Sequence, residues 1–201
     1  ILSAILKKMT GVGLMEYLTP RLWEPLGVKN VFWELSPSGI EKGGWGLYII
    51  PEDLAKIGQL YLQGGIWNGK QLISREWIEA ATSKKVTAPQ GFGDFNYGYH
   101  IWVGRQQHCY LFNGMFGQNM ICFPDTDMII IENAGNNEMF QQSDFFRLAK
   151  NISERIFGPV RRSRSIPERR NSCVLRKRIC GIIKWGAVSS PWKNAVERST
   201  G

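Results

Sequence analysis

The chain has 201 residues, of which 43% are hydrophobic and 12% aromatic, and this composition excludes an intrinsically disordered protein as the default. A chain of this length can bury a sizeable core, and no apolar run approaches the roughly 18 residues that a membrane span requires. The formal net charge of +8 at pH 7 indicates nucleic-acid binding only if the basic residues are spread over the folded part, and they are not.

The positive charge belongs to the end of the chain. Residues 161–201 carry 11 basic and two acidic side chains, a net charge of +9, which leaves residues 1–160 at −1. We therefore expect no nucleic acid as a partner of the folded part. The first nine residues place their lysines after the apolar residues, the reverse of a signal peptide, and the chain lacks an initiator Met. We expect it to begin within a longer protein, and the cellular compartment is not indicated.

Two helical patterns open the chain. Residues 1–9 form an apolar helical pattern that should stop at Gly11, and residues 14–18 begin a second pattern that Pro20 interrupts. The stretch "ELSPSGIEKGGWGL" that comes later is dense in Gly, Ser and Pro and is therefore predicted to be a loop.

The clearest helical pattern begins at Pro51. Proline at the first helical position loses no hydrogen bond, and the two acidic residues after it suit the positive end of the helix dipole. Gly64-Gly65 should end this helix. A tight turn is predicted at "NGK", residues 68–70, and Ser74 should open another helix over residues 75–82.

From Tyr97 the pattern changes from helices to strands. The runs "YGYHIWVG", "CYLFNGMF", "QNMICF" and "DMIIIENAG" are short, apolar and closely spaced, which predicts an antiparallel meander with a turn at 124–127. An amphipathic helix from Asp144 to about Gly158 should cover one face of this sheet. The predicted fold class is α+β, with helices followed by an antiparallel sheet and a closing helix.

Residues 159–201 form a basic tail without a sustained hydrophobic period. We predict a boundary after residue 158 and three alternative interpretations of the tail. It is a disordered extension, an out-of-frame replacement of the normal ending, or a basic arm that binds nucleic acid or a membrane surface. The step in charge and the loss of pattern favour the first two.

Metal and cofactor sites are not indicated. Four cysteines occur without a C-x-x-C spacing, only His100 and His108 could complete a metal site with them, and the expected ligand spacings are absent, so we expect neither a metal nor a cofactor. Cys109 and Cys122 are predicted to be small buried hydrophobic residues. His100 is predicted to be a packed or edge histidine rather than a catalytic one.

The strand pattern "LFNGMFGQ" contains two glycines and an asparagine where apolar side chains should pack. Glycine weakens a strand, so it marks a bulge, a bend or a place where another molecule approaches the backbone. Gly43-Gly44-Trp45-Gly46 raises a similar question. Either Trp45 borders a binding cleft, or it fills the core beside a loop.

Long segments resemble the serine β-lactamase-like hydrolases. "ILSAILKKMTGVGLMEYLTPRLWEPLGVKNVFWE" and "GGWGLYIIPEDLAKIGQLYLQGGIWNGKQLISREWIEAAT" are similar to two successive blocks of that family. "YGYHIWV", "FNGMFGQ" and "FPDTDMIIIENAGN" are similar to its closing strands, so the match covers about residues 1–157 in order and spacing. The family includes bacterial class C β-lactamases, D-Ala-D-Ala peptidases (penicillin-binding proteins) and related esterases.

The resemblance implies a partial β-lactamase/transpeptidase-like fold for residues 1–158 and a location for the active site. In the family, the strand beside the catalytic serine carries a Lys-Thr-Gly or His-x-Gly triplet, and alignment on Gly117-Gln118 places it at Phe112, Asn113 and Gly114. These three residues are thus implied to contact substrate. Met115 is implied to offer its backbone N–H as half of the oxyanion hole, where one fixed donor is worth roughly 3–4 kcal/mol.

Two departures from the family pattern bear on activity. Phe112 stands where the family often has Lys or His, which weakens a true β-lactamase interpretation and leaves an esterase, an amidase or a degenerate homologue. The family also needs a Ser-x-x-Lys nucleophile and a Tyr-x-Asn or similar base. The sequence has no Tyr-x-Asn, and its one Ser-x-x-Lys, residues 190–193, lies in the tail in the wrong order.

The resemblance therefore implies the C-terminal part of a serine hydrolase that acts through an acyl-enzyme on a small ester, amide or β-lactam-like substrate. The nucleophile would lie outside this chain, which would be inactive alone. The alternative is a non-catalytic member of the fold that binds peptide or peptidoglycan. Family members are often exported or associated with the cell envelope.

Overall fold

The structure is a computed structural model that describes residues 1–89, 94–135, 142–158 and 181–183. Its residues divide into two compact units, Ile1–Ala80 and a second that begins at Ala81. The predicted boundary after residue 158 stays a prediction. Most of the predicted tail lies outside the described residues. No helix among the residues that the structure describes is long and apolar enough to cross a membrane.

The first unit combines four helices with two small pairs of strands. Its helices are α1 (Leu2–Thr10), α2 (Leu14–Leu18), α3 (Pro51–Leu62) and α4 (Arg75–Ala81), the last ending one residue into the second unit, and its strands are β1 (Phe32–Trp33), β2 (Leu47–Tyr48), β3 (Ile66–Trp67) and β4 (Lys70–Gln71). β1 pairs with β2 and β3 with β4, both antiparallel. Strands β1 and β2 were not predicted, because they flank the segment expected to be a loop.

The predicted helix ends are confirmed. Gly11 takes a left-handed φ of 80° and donates to the Lys7 carbonyl at the end of α1. The α2 pattern gives way at Leu18 to a π-helical turn, Thr19–Trp23, that contains Pro20. Proline has no N–H to donate in an α-helix, so a change of helix type near it is expected.

Helix α3 ends in a Schellman motif, as the glycine pair predicts. The N–H of Gly65 donates to the Leu60 carbonyl at 2.8 Å, and the N–H of Gly64 donates to the Tyr61 carbonyl at 3.0 Å. Both glycines have positive φ. These two bonds satisfy carbonyls that have no partner within the helix, so the helix stops where the glycines stand.

The turn predicted at residues 68–70 is a β-hairpin between β3 and β4. Asn68 and Gly69 have φ of 46° and 80°, and two successive positive values are typical of the type I′ turn that Asn-Gly favours. The following helix is capped as expected, since the Ser74 hydroxyl accepts the Trp77 N–H at 3.2 Å. The buried core of this unit consists of Trp23, Leu26, Val28 and Leu60.

The second unit contains a six-stranded sheet. Its strands are β5 (Phe95–Tyr97), β6 (Trp102–Gly104), β7 (Tyr110–Gly114), β8 (Gln118–Phe123), β9 (Met128–Asn133) and β10 (Gly181–Ile183). The spatial order is β10-β9-β8-β7-β6-β5, and β5 to β9 form the predicted antiparallel meander. β10 is parallel to β9 and is the one described segment of the predicted tail.

Helix α5 (Gln142–Phe157) covers one face of the sheet, as its amphipathic pattern predicts. Leu111, Ile121 and Ile130 lie opposite one another on adjacent strands and are almost fully buried. They share one apolar cluster with Phe145, Phe146 and Ala149 of α5. The predicted α+β fold class is confirmed.

Candidate active site

The segment "LFNGMFGQ" forms the end of β7, a three-residue turn and the start of β8. The last pair of the hairpin is Gly114 opposite Gln118, and residues 115–117 connect them. Phe116 and Gly117 have φ of 64° and 90°. Gly117 is therefore explained by the turn, since only glycine adopts that region without strain.

Gly114 has a different explanation. Its φ is not positive, but a Cβ added there would lie 3.0 Å from the Gln118 Cβ and 3.1 Å from the Gln118 carbonyl oxygen. Neither atom is the flexible end of a side chain, so the strands would have to separate. The two glycines thus serve the turn and the close approach of β7 to β8.

On the edge of β7 that faces β6, the strand pairing stops before the end of β7. The β6–β7 ladder pairs Trp102 with Leu111 and Val103 with Tyr110 and ends there. Among the described residues, no ladder continues on that side of Asn113 and Gly114. Met115 follows outside the strand, with its side chain 48% exposed. Its amide group is thus located at the open end of a strand rather than inside a continuous ladder.

A chain of polar side chains crosses three strands beside this turn. Asn113, Asn119 and Glu132 lie opposite one another in the registers of β7, β8 and β9. The Asn113 amide nitrogen donates to Asn119 Oδ1 at 2.6 Å, and the Asn119 amide nitrogen donates to Glu132 Oε2 at 2.6 Å. Asn119 is only 1% exposed. Neither Asn119 nor Glu132 was predicted to be functional, although each is a polar residue inside an apolar strand pattern.

Phe112 introduces an aromatic ring where the family resemblance leads one to expect a cation. It is half-buried, and its ring meets the Tyr110 ring edge-on with centroids 6.1 Å apart. Because side chains alternate along a strand, Phe112 and Asn113 point to opposite faces of the sheet. The substrate-binding roles of Phe112, Asn113 and Gly114 and the oxyanion role of Met115 stay predictions.

Trp45 lies in the first unit with 66% of its side chain exposed, so the core-filling interpretation of this residue is wrong. Its backbone carbonyl accepts the Trp33 indole N–H at 2.9 Å, which holds the glycine-rich loop against β1. In the same unit, Lys42 Nζ and the Tyr48 hydroxyl each lie 2.7 Å from a carboxylate oxygen of Glu34. Both hydrogen bonds lower the pKa of Glu34, and the bond from Lys42 has the larger effect. A substrate-binding role of Trp45 stays a prediction.

The other candidate groups do not form a catalytic arrangement within the described residues. Cys109 and Cys122 are free and buried, as predicted, and burial raises the pKa of Cys109 to about 12 and that of Cys122 further still. His100 is exposed, with φ of 58°. His108 pairs with Asp125 at 2.8 Å on the surface. The described residues hold no group of three or more potential metal ligands.

A cavity of about 820 Å³ lies in the first unit, and none of the predicted site residues lines it. It is a shallow, open hollow in which the Arg21 guanidinium stacks on the Tyr17 ring at 4.1 Å. Glu16 and Glu24 also line it. Opposing charges beside one aromatic ring do not select one class of ligand, so this hollow adds nothing to the site at Met115.

Comparisons with known proteins agree with the fold. The chain is 26% identical to the 6-aminohexanoate-dimer hydrolase of Paenarthrobacter ureafaciens over an alignment of 141 residues, which covers 66% of this chain and 36% of that protein. A structure assigned as a 6-aminohexanoate-dimer hydrolase from Bacillus anthracis superposes with a TM-score of 0.69 at 24% identity, covering 77% of this chain and 42% of the other. A β-lactamase from Mycobacterium bovis gives a TM-score of 0.60 at 16% identity, covering 79% and 62%.

The chain thus spans about a third of the length of the curated relative. The sequence model of the β-lactamase family matches residues 1–134, which include α1 to α4, the hairpin and the turn that holds Met115. This match extends over both compact units and agrees with the residues on which the resemblance was based. The chain belongs to the β-lactamase family of serine hydrolases.

Proposed function

We propose that this chain supplies the oxyanion-binding strand and turn of a serine hydrolase that cleaves amide or ester bonds through an acyl-enzyme. The observation that carries the proposal is the open end of β7. The β6–β7 ladder stops at Leu111, so the backbone beyond Asn113 can accept a substrate alongside it. The Met115 N–H then lies at the end of a rigid strand, where a fixed donor is most useful.

The chemistry requires such a donor. When a nucleophile attacks a carbonyl carbon, negative charge develops on the carbonyl oxygen, and a pre-oriented N–H about 3 Å away stabilises it. A backbone amide serves this purpose well because it carries no side-chain freedom. The hairpin supports it through the five residue pairs that join β7 to β8.

The nucleophile belongs to polypeptide other than this chain in the proposed enzyme. The only Ser-x-x-Lys is Ser190-Pro191-Trp192-Lys193, which lies outside the described residues and after the hairpin in sequence. A serine activated by a neighbouring lysine is the nucleophile of this type of enzyme. We therefore assign to this chain the carboxy-terminal part of the site, without activity of its own.

The substrate class follows from Phe112 and from the relative. An aromatic side chain in place of a cation gives no attraction to a carboxylate beside the scissile bond, which disfavours β-lactam and D-Ala-D-Ala substrates. The curated relative is by its name a hydrolase of the 6-aminohexanoate dimer. An amide or ester without a carboxylate beside the scissile bond is thus the substrate that we favour.

A matched pair of variants tests the oxyanion role in the complete hydrolase that carries this chain. Met115→Pro removes the N–H, and we expect kcat to fall by about 10²–10³-fold, while Met115→Leu keeps the N–H and should retain activity. Hydrolysis of p-nitrophenyl esters provides the assay, and circular dichroism checks folding. Equal activity of both variants would show that the Met115 amide is not the donor.

Assays on this chain alone separate the proposal from its alternatives. We expect no turnover of nitrocefin or p-nitrophenyl esters, and turnover that Ser190→Ala abolishes would place the nucleophile in the tail and contradict the assignment. The alternative is a non-catalytic member of the fold that binds peptide or peptidoglycan, and a complete protein without a Ser-x-x-Lys ahead of the hairpin would favour it. An inactive complete protein that still binds such a ligand would support that alternative.

A further inference from the structure

We infer that Asn113, Asn119 and Glu132 form a positioning chain that fixes the orientation of the Gly114–Met115 peptide and hence of the oxyanion donor. This inference rests on the proposed role of the Met115 N–H. It deepens that role by assigning residues on three strands that hold the donor in place. None of the three is a catalytic residue in this scheme, because each acts through the peptide unit.

The link to the donor is a bond within the same peptide unit. Besides its bond to Asn119, the Asn113 side-chain nitrogen donates to the Gly114 carbonyl oxygen at 3.3 Å. The carbonyl of Gly114 and the N–H of Met115 belong to one planar trans peptide, so their directions are opposite and fixed to each other. A hydrogen bond that holds the carbonyl therefore also aims the N–H at the opposite side.

The positioning chain has only one consistent arrangement of hydrogen-bond donors and acceptors. Its two ends, the Gly114 carbonyl oxygen and the Glu132 carboxylate, both accept hydrogen bonds from amide nitrogens. The Asn119 amide must therefore turn its nitrogen to Glu132 and its oxygen to Asn113. Asn113 then uses both of its N–H groups, one for Asn119 and one for Gly114. The acidic end of the chain thus determines the orientation of an amide two strands away.

Burial makes this arrangement rigid. Asn119 is 1% exposed, and Leu111, Ile121 and Ile130, which precede or follow the three polar residues by two positions on the same face, are buried against α5. An amide without partners at such a position is unfavourable, so its bonds are kept. A loop donor would fluctuate, whereas this one is connected through side chains to the central strands of the sheet.

The inference is tested by substituting Asn119, the middle residue of the positioning chain, and by a second substitution that restores the hydrogen bond. Asn119→Asp places a carboxylate against Glu132, and the repulsion should break the chain. We expect kcat of the complete hydrolase to fall about 10- to 100-fold, with KM within twofold, because a misaimed donor affects the transition state more than binding. Adding Glu132→Gln restores a donor opposite the new carboxylate and should return kcat to within about threefold of the original.

Controls separate positioning from a structural effect. Asn133→Asp adds the same charge at the exposed end of β9 and should leave kcat unchanged. Glu132→Leu removes the terminal acceptor and provides a second test if Asn119→Asp fails to fold. In ¹⁵N spectra of this chain, the Met115 amide signal should shift in Asn119→Asp and return in the double variant.

The outcomes distinguish the oxyanion role of the Met115 N–H from the positioning role of Asn113, Asn119 and Glu132. If Met115→Pro is inactive but Asn119→Asp and Glu132→Leu keep kcat within twofold, the positioning chain is refuted and the oxyanion role stands. A loss of melting temperature without a loss of kcat likewise assigns the three residues a purely structural role. If Met115→Pro is fully active, the oxyanion role fails, and the positioning inference fails with it.

Discussion

Gly65 is expected to be the most sensitive glycine in the first unit. It is buried, has a φ of 83° and follows α3, and a Cβ added there would lie 1.8 Å from the Ile73 carbonyl oxygen. The left-handed conformation alone disfavours alanine by about 1–2 kcal/mol. The Ile73 carbonyl must also retreat by more than 1 Å to reach any normal contact.

That movement disrupts a second set of interactions. The Gly65 carbonyl accepts the N–H groups of Leu72 at 2.8 Å and of Ile73 at 3.3 Å, and both bonds join the segments that the new methyl group would push apart. Losing one or two such bonds costs about 1–3 kcal/mol. We therefore expect Gly65→Ala to lower the free energy of opening of α3 by roughly 2–5 kcal/mol.

Gly64→Ala is the matched control. Gly64 has a similar φ of 63°, but the added Cβ would meet only the Arg75 guanidinium at 3.0 Å, which is the end of a flexible side chain. Its cost should be the conformational one, about 1–2 kcal/mol. Hydrogen exchange of the α3 amides gives both values from native protein. Equal losses in the two variants would refute the argument from the Ile73 carbonyl.

Two further predictions concern titratable groups. With the pKa of Cys109 raised from 9.0 to about 12, its thiolate fraction at pH 8 is about a thousandfold lower than in the unfolded chain, so iodoacetamide should modify Cys109 at least a hundredfold more slowly in native protein than in urea. Peptide mass spectrometry measures both rates, and similar rates would contradict the burial of this thiol. Burial raises the pKa of Glu41, but hydrogen bonds from backbone N–H groups, including that of Met15 at 3.1 Å, outweigh it, so the net pKa is lowered below 4.5. A carboxyl group with a lowered pKa stabilises the fold at neutral pH and loses this effect as the pH falls through its native pKa. Glu41→Gln should thus destabilise α2 by about 1 kcal/mol at pH 7 and by progressively less below pH 4.5. The control Glu79→Gln, at an exposed position, should have little effect at either pH. If the destabilisation by Glu41→Gln stayed the same at low pH, the charge of Glu41 would not be its cause.

Local chemistry made part of the fold predictable. The Asn68-Gly69 turn, the Ser74 cap and the glycine pair after α3 each depend on residues within one turn of the chain. The meander was predictable because apolar runs separated by short connections leave few other pairings. The two-residue strands β1 and β2 were missed because they depend on contacts across the intervening loop, such as Lys42 with Glu34.

The polar chain beside the turn was predictable only in part. Asn113 stood out because it belongs to the triplet that the family resemblance identifies. Asn119 and Glu132 are spaced 6 and 13 residues from their partners, and nothing local indicates that they meet. Their contact follows from the strand register, which is set by how the apolar faces of β7, β8 and β9 pair.

The two glycines of the β7–β8 hairpin show that a sequence motif alone does not identify a functional site. Gly117 is needed for the turn, and Gly114 is needed because Gln118 approaches it closely, so neither glycine requires a substrate to explain it. The β6–β7 ladder ends at Leu111 because the residues before Trp102 form the turn to β5, where the Gly98 N–H donates to the Ile101 carbonyl, and near this end the Asn113 side chain donates to the Gly114 carbonyl. The proposed donor role of Met115 depends on that end of the ladder and on the side-chain bond to the Gly114 carbonyl. The Gly114–Met115 peptide and the side chains bonded to it, rather than the two glycines, therefore distinguish this hairpin from an ordinary one.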